Sequence, residues 1–230
     1  MRLILVRHGD PDYANDCLTG LGHKQAEAAA QRLVPEGITR IYSSPMGRAR
    51  QTAGYTARLL GLPIEVLDFM HEIGWGSDND DPVLRQGHPW SLADHMIAEE
   101  DFSFAGDNWK EHPAFKANRC NDYLRLISES SDELLNSLGF AREGNRYRCT
   151  KENEETIALF AHGGSGACLL SRLLNLPFPY VCSVLAYGLT SVTILSFESR
   201  PGELVFPRVE LFGDMSHVRN LMSAPAPCGN

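Results

Sequence analysis

Two apolar runs far apart in the chain each close on His-Gly, and this repetition constrains the fold more than any other feature of the sequence. The first, Leu3-Ile4-Leu5-Val6, delivers Arg7-His8-Gly9 to a break at Asp10-Pro11. The second, Thr156-Ile157-Ala158-Leu159-Phe160-Ala161, ends at His162-Gly163-Gly164-Ser165-Gly166. Short continuous apolar runs bounded by Gly and Pro are read as strands buried on both faces, as in a parallel sheet. Open α/β sheets take their ligands outside the carboxyl ends of such strands. A single His-Gly there is commonplace in a surface loop. Two of them suggest that His8 and His162 converge on one crevice, with Arg7 as the adjacent cation and Gly9 allowing close backbone approach to a ligand.

The intervening pattern fits that sheet. Thr19 is a plausible N-cap for a helix through Gln25, Ala26, Ala29 and Leu33, closed by Pro35 and Gly37. Residues 39–43 read as a strand, Ser44-Pro45 as the start of a helix carried by Ala49, Thr52, Ala53, Ala57 and Leu60, and residues 64–66 as a short strand. Downstream, 120–138 reads as a helix, 140–149 as a hairpin, 166–174 as a helix, 190–197 and 204–211 as two strands, and 222–230 as a frayed tail. Alternation of strand and helix means a parallel sheet with right-handed crossovers. The expected fold class is therefore α/β, a doubly wound and mostly parallel sheet flanked by helices, forming a single domain over 1–230. Periodicity degrades between Ser77 and Arg119, which is expected to be a capping insertion over the active-site edge of the sheet.

Composition excludes several classes. Lys and Arg total 21 against 29 Asp and Glu, a formal charge of −8, so a nucleic-acid partner is not expected. No apolar run approaches the roughly 20 residues of a membrane helix, and the N-terminus runs straight into a strand rather than a signal peptide. The six cysteines, at 17, 120, 149, 168, 182 and 228, form no C-x-x-C pair. They are expected to be reduced thiols in a cytoplasmic protein. His88, His95 and His112 are spaced by seven and seventeen residues, which fits no compact metal motif, and neither metal nor cofactor is expected.

Further motifs carry a resemblance. Leu18-Thr19-Gly20-Leu21-Gly22-His23-Lys24-Gln25-Ala26, Ser43-Ser44-Pro45-Met46-Gly47-Arg48-Ala49-Arg50-Gln51-Thr52-Ala53 and Gly213-Asp214-Met215-Ser216-His217-Val218 occur in that order with Arg7-His8-Gly9. Together they resemble the histidine phosphatase superfamily, the phosphoglycerate mutase-like phosphatases and mutases that share an Arg-His-Gly signature. The resemblance implies a phosphohistidine intermediate at His8, guanidinium clamps at Arg7 and Arg48, and at His162 a second histidine that donates a hydrogen bond to the phosphoryl group. Imidazole is a competent nucleophile, and planar guanidinium forks match phosphoryl oxygens. Glu72, in His71-Glu72-Ile73-Gly74-Trp75-Gly76, matches the family's proton donor in a segment shorter than usual. Asp10-Pro11 departs from the Glu and Ser or Thr of many relatives, and Asn15 is the residue expected to contact phosphate in their place. Arg50 matches nothing and reads as a solvated helix residue.

The implied activity is metal-independent hydrolysis of small phosphate monoesters. The alternatives are a phosphoglycerate mutase and a catalytically silent member that binds a phospho-ligand or protein. Residues 77–119 hold nine acids against four cations, an excess of five negative charges, and no Arg-Arg pair. A lid of that sign should disfavour a polyanion by about 1 kcal/mol per close like-charge contact in water, which favours the phosphatase.

Overall fold

A computed structural model describes residues 1–76, 87–98, 102–103, 108–185 and 188–222. Six strands form the main sheet: β1 (Arg2–Arg7), β2 (Arg40–Ser43), β3 (Ile64–Val66), β4 (Thr156–Ala161), β5 (Val192–Ser196) and β6 (Arg208–Asp214). Their spatial order is β6-β5-β1-β4-β2-β3. The pairings β1/β4, β4/β2 and β2/β3 are parallel, while β5 runs antiparallel to β1 and β6 antiparallel to β5. The sheet is mixed, with its central strands parallel.

The longer helices are α1 (Gly20–Leu33), α2 (Gly47–Leu60), α3 (Pro89–Ala98), α4 (Cys120–Ser137), α5 (Gly163–Leu174) and α6 (Phe178–Val184). Strand periodicity divides the apolar residues between two cores. Ile4, Val6, Ala158 and Phe160 pack with Leu33, Ala53 and Ala57 of α1 and α2. Leu3, Leu5, Ile157 and Leu159 pack with Ile127, Leu135, Leu169 and Leu170 of α4 and α5. Each buried strand is thus apolar on both faces, which is why β1 and β4 read as continuous apolar runs.

Several elements differ from the sequence expectation by more than a residue or two at an end. The predicted strand 204–211 is two: Leu204–Val205 joins the hairpin of Phe140–Glu143 and Arg146–Cys149, whereas β6 joins the main sheet. Pro207 lies between them and has no N–H to donate to a ladder. Helix α2 begins at Gly47, not at Ser44-Pro45, and α5 begins at Gly163, not Gly166. The aperiodic stretch contains α3, with Leu92, Ala93 and Met96 buried; its apolar face was obscured by the surrounding acids. The tail beyond residue 222 lies outside the described residues, as do most of the acids counted in 77–119.

Thr19 caps α1 as expected, its hydroxyl accepting the Gly22 N–H at 3.1 Å. Gly22 itself is fixed by space: a Cβ there would stand 2.2 Å from the Asp10 carbonyl oxygen. Backbone cannot yield as a flexible side chain can, so Gly22→Ala should destabilise the fold by about 1–3 kcal/mol in urea titrations. Gly20→Ala, where a Cβ would have nothing within 4 Å, should not. Equal stability of the two variants would refute this account of the close approach.

Candidate active site

Parallel pairing sets Arg7 level with Ala161, so the next residues of the two strands, His8 and His162, leave the sheet side by side. The His8 N–H donates to the Ala161 carbonyl at 3.0 Å, and the imidazole centroids are 5.1 Å apart at 59°. Both are at most 1 % exposed. His8 Nδ1 lies 2.7 Å from the Gly9 carbonyl oxygen. A carbonyl can only accept, so Nδ1 carries the hydrogen and Nε2 presents its lone pair. Arg48 Nε donates to that Nε2 at 3.3 Å, and His162 Nε2 pairs with Ser44 Oγ at 2.6 Å.

Burial, reinforced by the Arg48 and Arg7 charges, lowers the His8 pKa from 6.5 to about 4, with the Gly9 carbonyl and Asp16 opposing. His162 is lowered to about 2, again chiefly by burial and then by Arg48, His8 and Arg7. Both rings are neutral at physiological pH.

Arg48, 4 % exposed, is held from the far side by Asp16, whose Oδ1 accepts from Nη1 at 2.6 Å. Asp16 Oδ2 also accepts the Gly47 N–H at 2.6 Å, so one carboxylate both caps α2, which lacks a cap of its own, and fixes the guanidinium. Asp16 sits at φ +47°. No sequence signal singled it out. Ser44, by contrast, belongs to the Ser43–Ala53 motif, and only the fold reveals its link to His162. Half-buried Arg7 ends β1, with its guanidinium carbon 3.5 Å from where a Cβ on Gly163 would stand. Asn15 is exposed, and its side-chain amide donates to Asp12 at 2.8 Å. Arg50 is exposed on α2.

Glu72 approaches from the other side. Its Oε1 accepts the N–H groups of Ile73, Gly164 and Ser165 at 2.9, 2.9 and 3.1 Å, which caps α5. Burial raises its pKa despite these bonds and the Arg7 and Arg48 charges. The anion that the Gly164 and Ser165 amides bind is thus the Glu72 carboxylate. Arg7, Glu72 and Gly163 share a cleft of about 440 Å³ with Tyr13, Trp75 and Trp90. A larger cavity, about 770 Å³, lies elsewhere between α4, α5 and the turn at Asn108–Glu111.

The remaining motif residues act as scaffolding. Thr52 Oγ1 accepts the Gly9 N–H at 3.1 Å, and Gln25 Oε1 accepts that of Asp10 at 2.7 Å. Thr190, at φ +58°, donates its N–H to the His8 carbonyl, and His217 of the closing motif reaches the Thr190 hydroxyl at 3.3 Å. Among the described residues no group of three His, Cys, Asp or Glu is arranged to hold a metal ion.

The family sequence profile of the histidine phosphatase superfamily (branch 1) matches residues 3–135. The chain belongs to that superfamily. Relatives of this chain include a protein of Enterobacter sp. (strain 638) named probable phosphoglycerate mutase GpmB, 29% identical over 236 residues, covering 98% of this chain and 97% of the relative. Among solved structures, one titled mycobacterial hydrolase 1 is 26% identical with a TM-score of 0.64, covering 93% of this chain and 98% of its own. The mycobacterial glucosyl-3-phosphoglycerate phosphatase is 27% identical with a TM-score of 0.61, covering 92% and 98%. The phosphoserine phosphatase of Entamoeba histolytica, at 22% identity and a TM-score of 0.61, shares the fold.

The depressed imidazole pKa values predict a pH dependence of stability. Between about 6.5 and 4 the unfolded chain binds protons that His8 and His162 refuse when folded, so stability falls as pH drops through that window. Glu72, with a raised pKa, contributes the opposite slope. Urea titrations should therefore give a shallower loss of stability between about pH 7 and 5 for folded His162→Asn than for the parent. An identical slope would show that His162 does not carry this linkage.

Proposed function

We propose that this histidine phosphatase hydrolyses small phosphate monoesters through a phosphohistidine at His8. The observation that carries the reading is the unprotonated Nε2 of a neutral His8, 3.3 Å from Arg48 Nε and beside His162, with Arg7 and Glu72 lining the adjoining cleft. In the first step His8 Nε2 attacks phosphorus while the bond to the ester oxygen breaks, and Arg7, Arg48 and His162 meet the charge on the phosphoryl oxygens. Glu72 protonates the departing alkoxide. Its Oε1 is occupied by three N–H donors, so the proton belongs on Oε2. Water then attacks the phosphohistidine, giving its proton to the Glu72 carboxylate, and the P–N bond breaks to release inorganic phosphate and neutral His8. Asn15 would reach the phosphate only by giving up its bond to Asp12. The mycobacterial glucosyl-3-phosphoglycerate phosphatase has been solved with VO3 and with inorganic phosphate, anions of the kind this cup would hold.

We read residues 1–230 as one domain with 77–119 as a capping insertion, because Leu92, Met96, Trp109 and Phe115 share a core with Leu169 and Leu170. Among the described residues no single helix is long and apolar enough to cross a membrane. Five described cysteines are free thiols, four of them buried, which fits a reducing cytoplasm. The alternative, a phosphoglycerate mutase, follows the name of the Enterobacter relative and would use the same cup, returning the phosphoryl group to a second hydroxyl. The acidic balance of residues 77–119 favours water as the acceptor.

The test is phosphate release from a panel of esters with and without EDTA, alongside interconversion of 2- and 3-phosphoglycerate primed with 2,3-bisphosphoglycerate. Release should survive EDTA, exceed mutase turnover, and vanish in folded His8→Ala. Mutase turnover above phosphate release would reverse the assignment. Glu72→Gln should slow alkyl phosphates at least about tenfold more than aryl phosphates, whose phenolate departs without a proton. Equal slowing would assign Glu72 to positioning alone.

A further inference from the structure

Beyond its phosphoryl end, the cleft shared by Arg7 and Glu72 is walled by Tyr13, Trp75, His88, Trp90, Val181 and Leu185. Trp75 and Trp90 meet edge to face, with centroids 6.4 Å apart at 80°. The His88 ring lies 5.0 Å from each, stacked on Trp90 at 30° and perpendicular to Trp75 at 79°. Two nearly perpendicular aromatic planes make a corner, and α6 with the residue following it adds the aliphatic Val181 and Leu185. Trp75, Trp90 and Leu185 pack on the core yet remain partly buried, leaving apolar surface inside the cleft. Tyr13, whose ring centroid is 5.4 Å from the Arg48 guanidinium carbon, joins this corner to the catalytic end.

We infer that this corner is the leaving-group subsite, and that it selects phosphate monoesters of uncharged alcohols bearing an aromatic ring over esters whose alcohol carries a carboxylate. The inference rests on the phosphatase reading and deepens it. An aromatic ring in the corner gains edge-to-face and offset contacts at the centroid separations already adopted there. A carboxylate in the same place would be desolvated. Among the described residues lining the cleft, the one Lys or Arg is Arg7, which the phosphoryl group engages, and Glu72 would repel a second anion.

Benzyl phosphate, glycerol 1-phosphate and 3-phosphoglycerate make a matched set, because all three leave as alkoxides and place the same demand on Glu72. The expected order of kcat/KM is benzyl phosphate first and 3-phosphoglycerate last, with benzyl ahead of glycerol phosphate by about tenfold. Trp90→Ala should reduce the benzyl-to-glycerol ratio by about tenfold, and Trp90→Phe, which retains a ring, should restore most of it. Thermal melts establish that each variant is folded, and Leu185→Ser, at a half-buried position, repeats the test if Trp90→Ala is not. A ratio unchanged in folded Trp90→Ala or Leu185→Ser, or 3-phosphoglycerate matching benzyl phosphate in the parent, overturns the subsite. If no ester releases phosphate, the phosphatase reading itself fails. Calorimetry on the parent then decides the subsite: tighter binding of benzyl phosphate than of 3-phosphoglycerate supports it, and equal or weaker binding overturns it.

Discussion

The rest of the site depends on the parallel register of β1 against β4. With Arg7 opposite Ala161, the two strands release His8 and His162 at the same height, and the His8 N–H is still bonded to the neighbouring strand. Side chains alternate along a strand, so slipping either strand by one residue would send one imidazole to the opposite face of the sheet. The register is secured by burial on both faces: Leu3 and Leu5 belong to one core, Ile4 and Val6 to the other. A slip would therefore disturb both cores at once.

Burial next to two guanidinium groups decides the protonation of the pair. A protonated imidazole at either position would lose its hydration and face Arg48 and Arg7, whereas the neutral ring loses little. Asp16 draws the other way, but it is already engaged with Arg48 and Gly47. The neutral form prevails, and the Gly9 carbonyl then selects the tautomer in which Nε2 carries no hydrogen and accepts from Arg48 Nε. Desolvation, usually a cost, here keeps the His8 imidazole unprotonated at neutral pH.

Those parts of the molecule whose cause is local were legible in the sequence. The two strands ending in His-Gly, the Thr19 cap and the helical alanines at Ala26, Ala29, Ala53 and Ala57 each follow from neighbours within a few residues. Within residues 204–211 the apolar pattern alone reads as one strand, whereas Pro207, with no N–H to donate, is the local cause of the break. What escaped was non-local. Asp16 lies 32 residues from Arg48, and nothing in an exposed turn-rich segment marks one acid among several. The starts of α2 and α5 differ from the expectation for the same reason: each is fixed by a carboxylate remote in sequence and not by its own flanking residues.

Those two helices share a design. Neither Met46 nor His162, the residues at their N-caps, makes a side-chain cap bond. Asp16 supplies the cap for α2 and Glu72 that for α5, each from a distant segment. A cap borrowed from elsewhere ties the position of a loop to the position of a helix end. For Glu72 the consequence reaches the chemistry. N–H bonds favour the ionised form and burial favours the neutral one, and the raised pKa means that burial wins. Because all three N–H donors converge on Oε1, the carboxyl group can hold α5 through one oxygen while exchanging a proton through the other. On the proposed reading, the same residue fixes the helix beside His162 and serves as acid and then base, without giving up either task during the cycle.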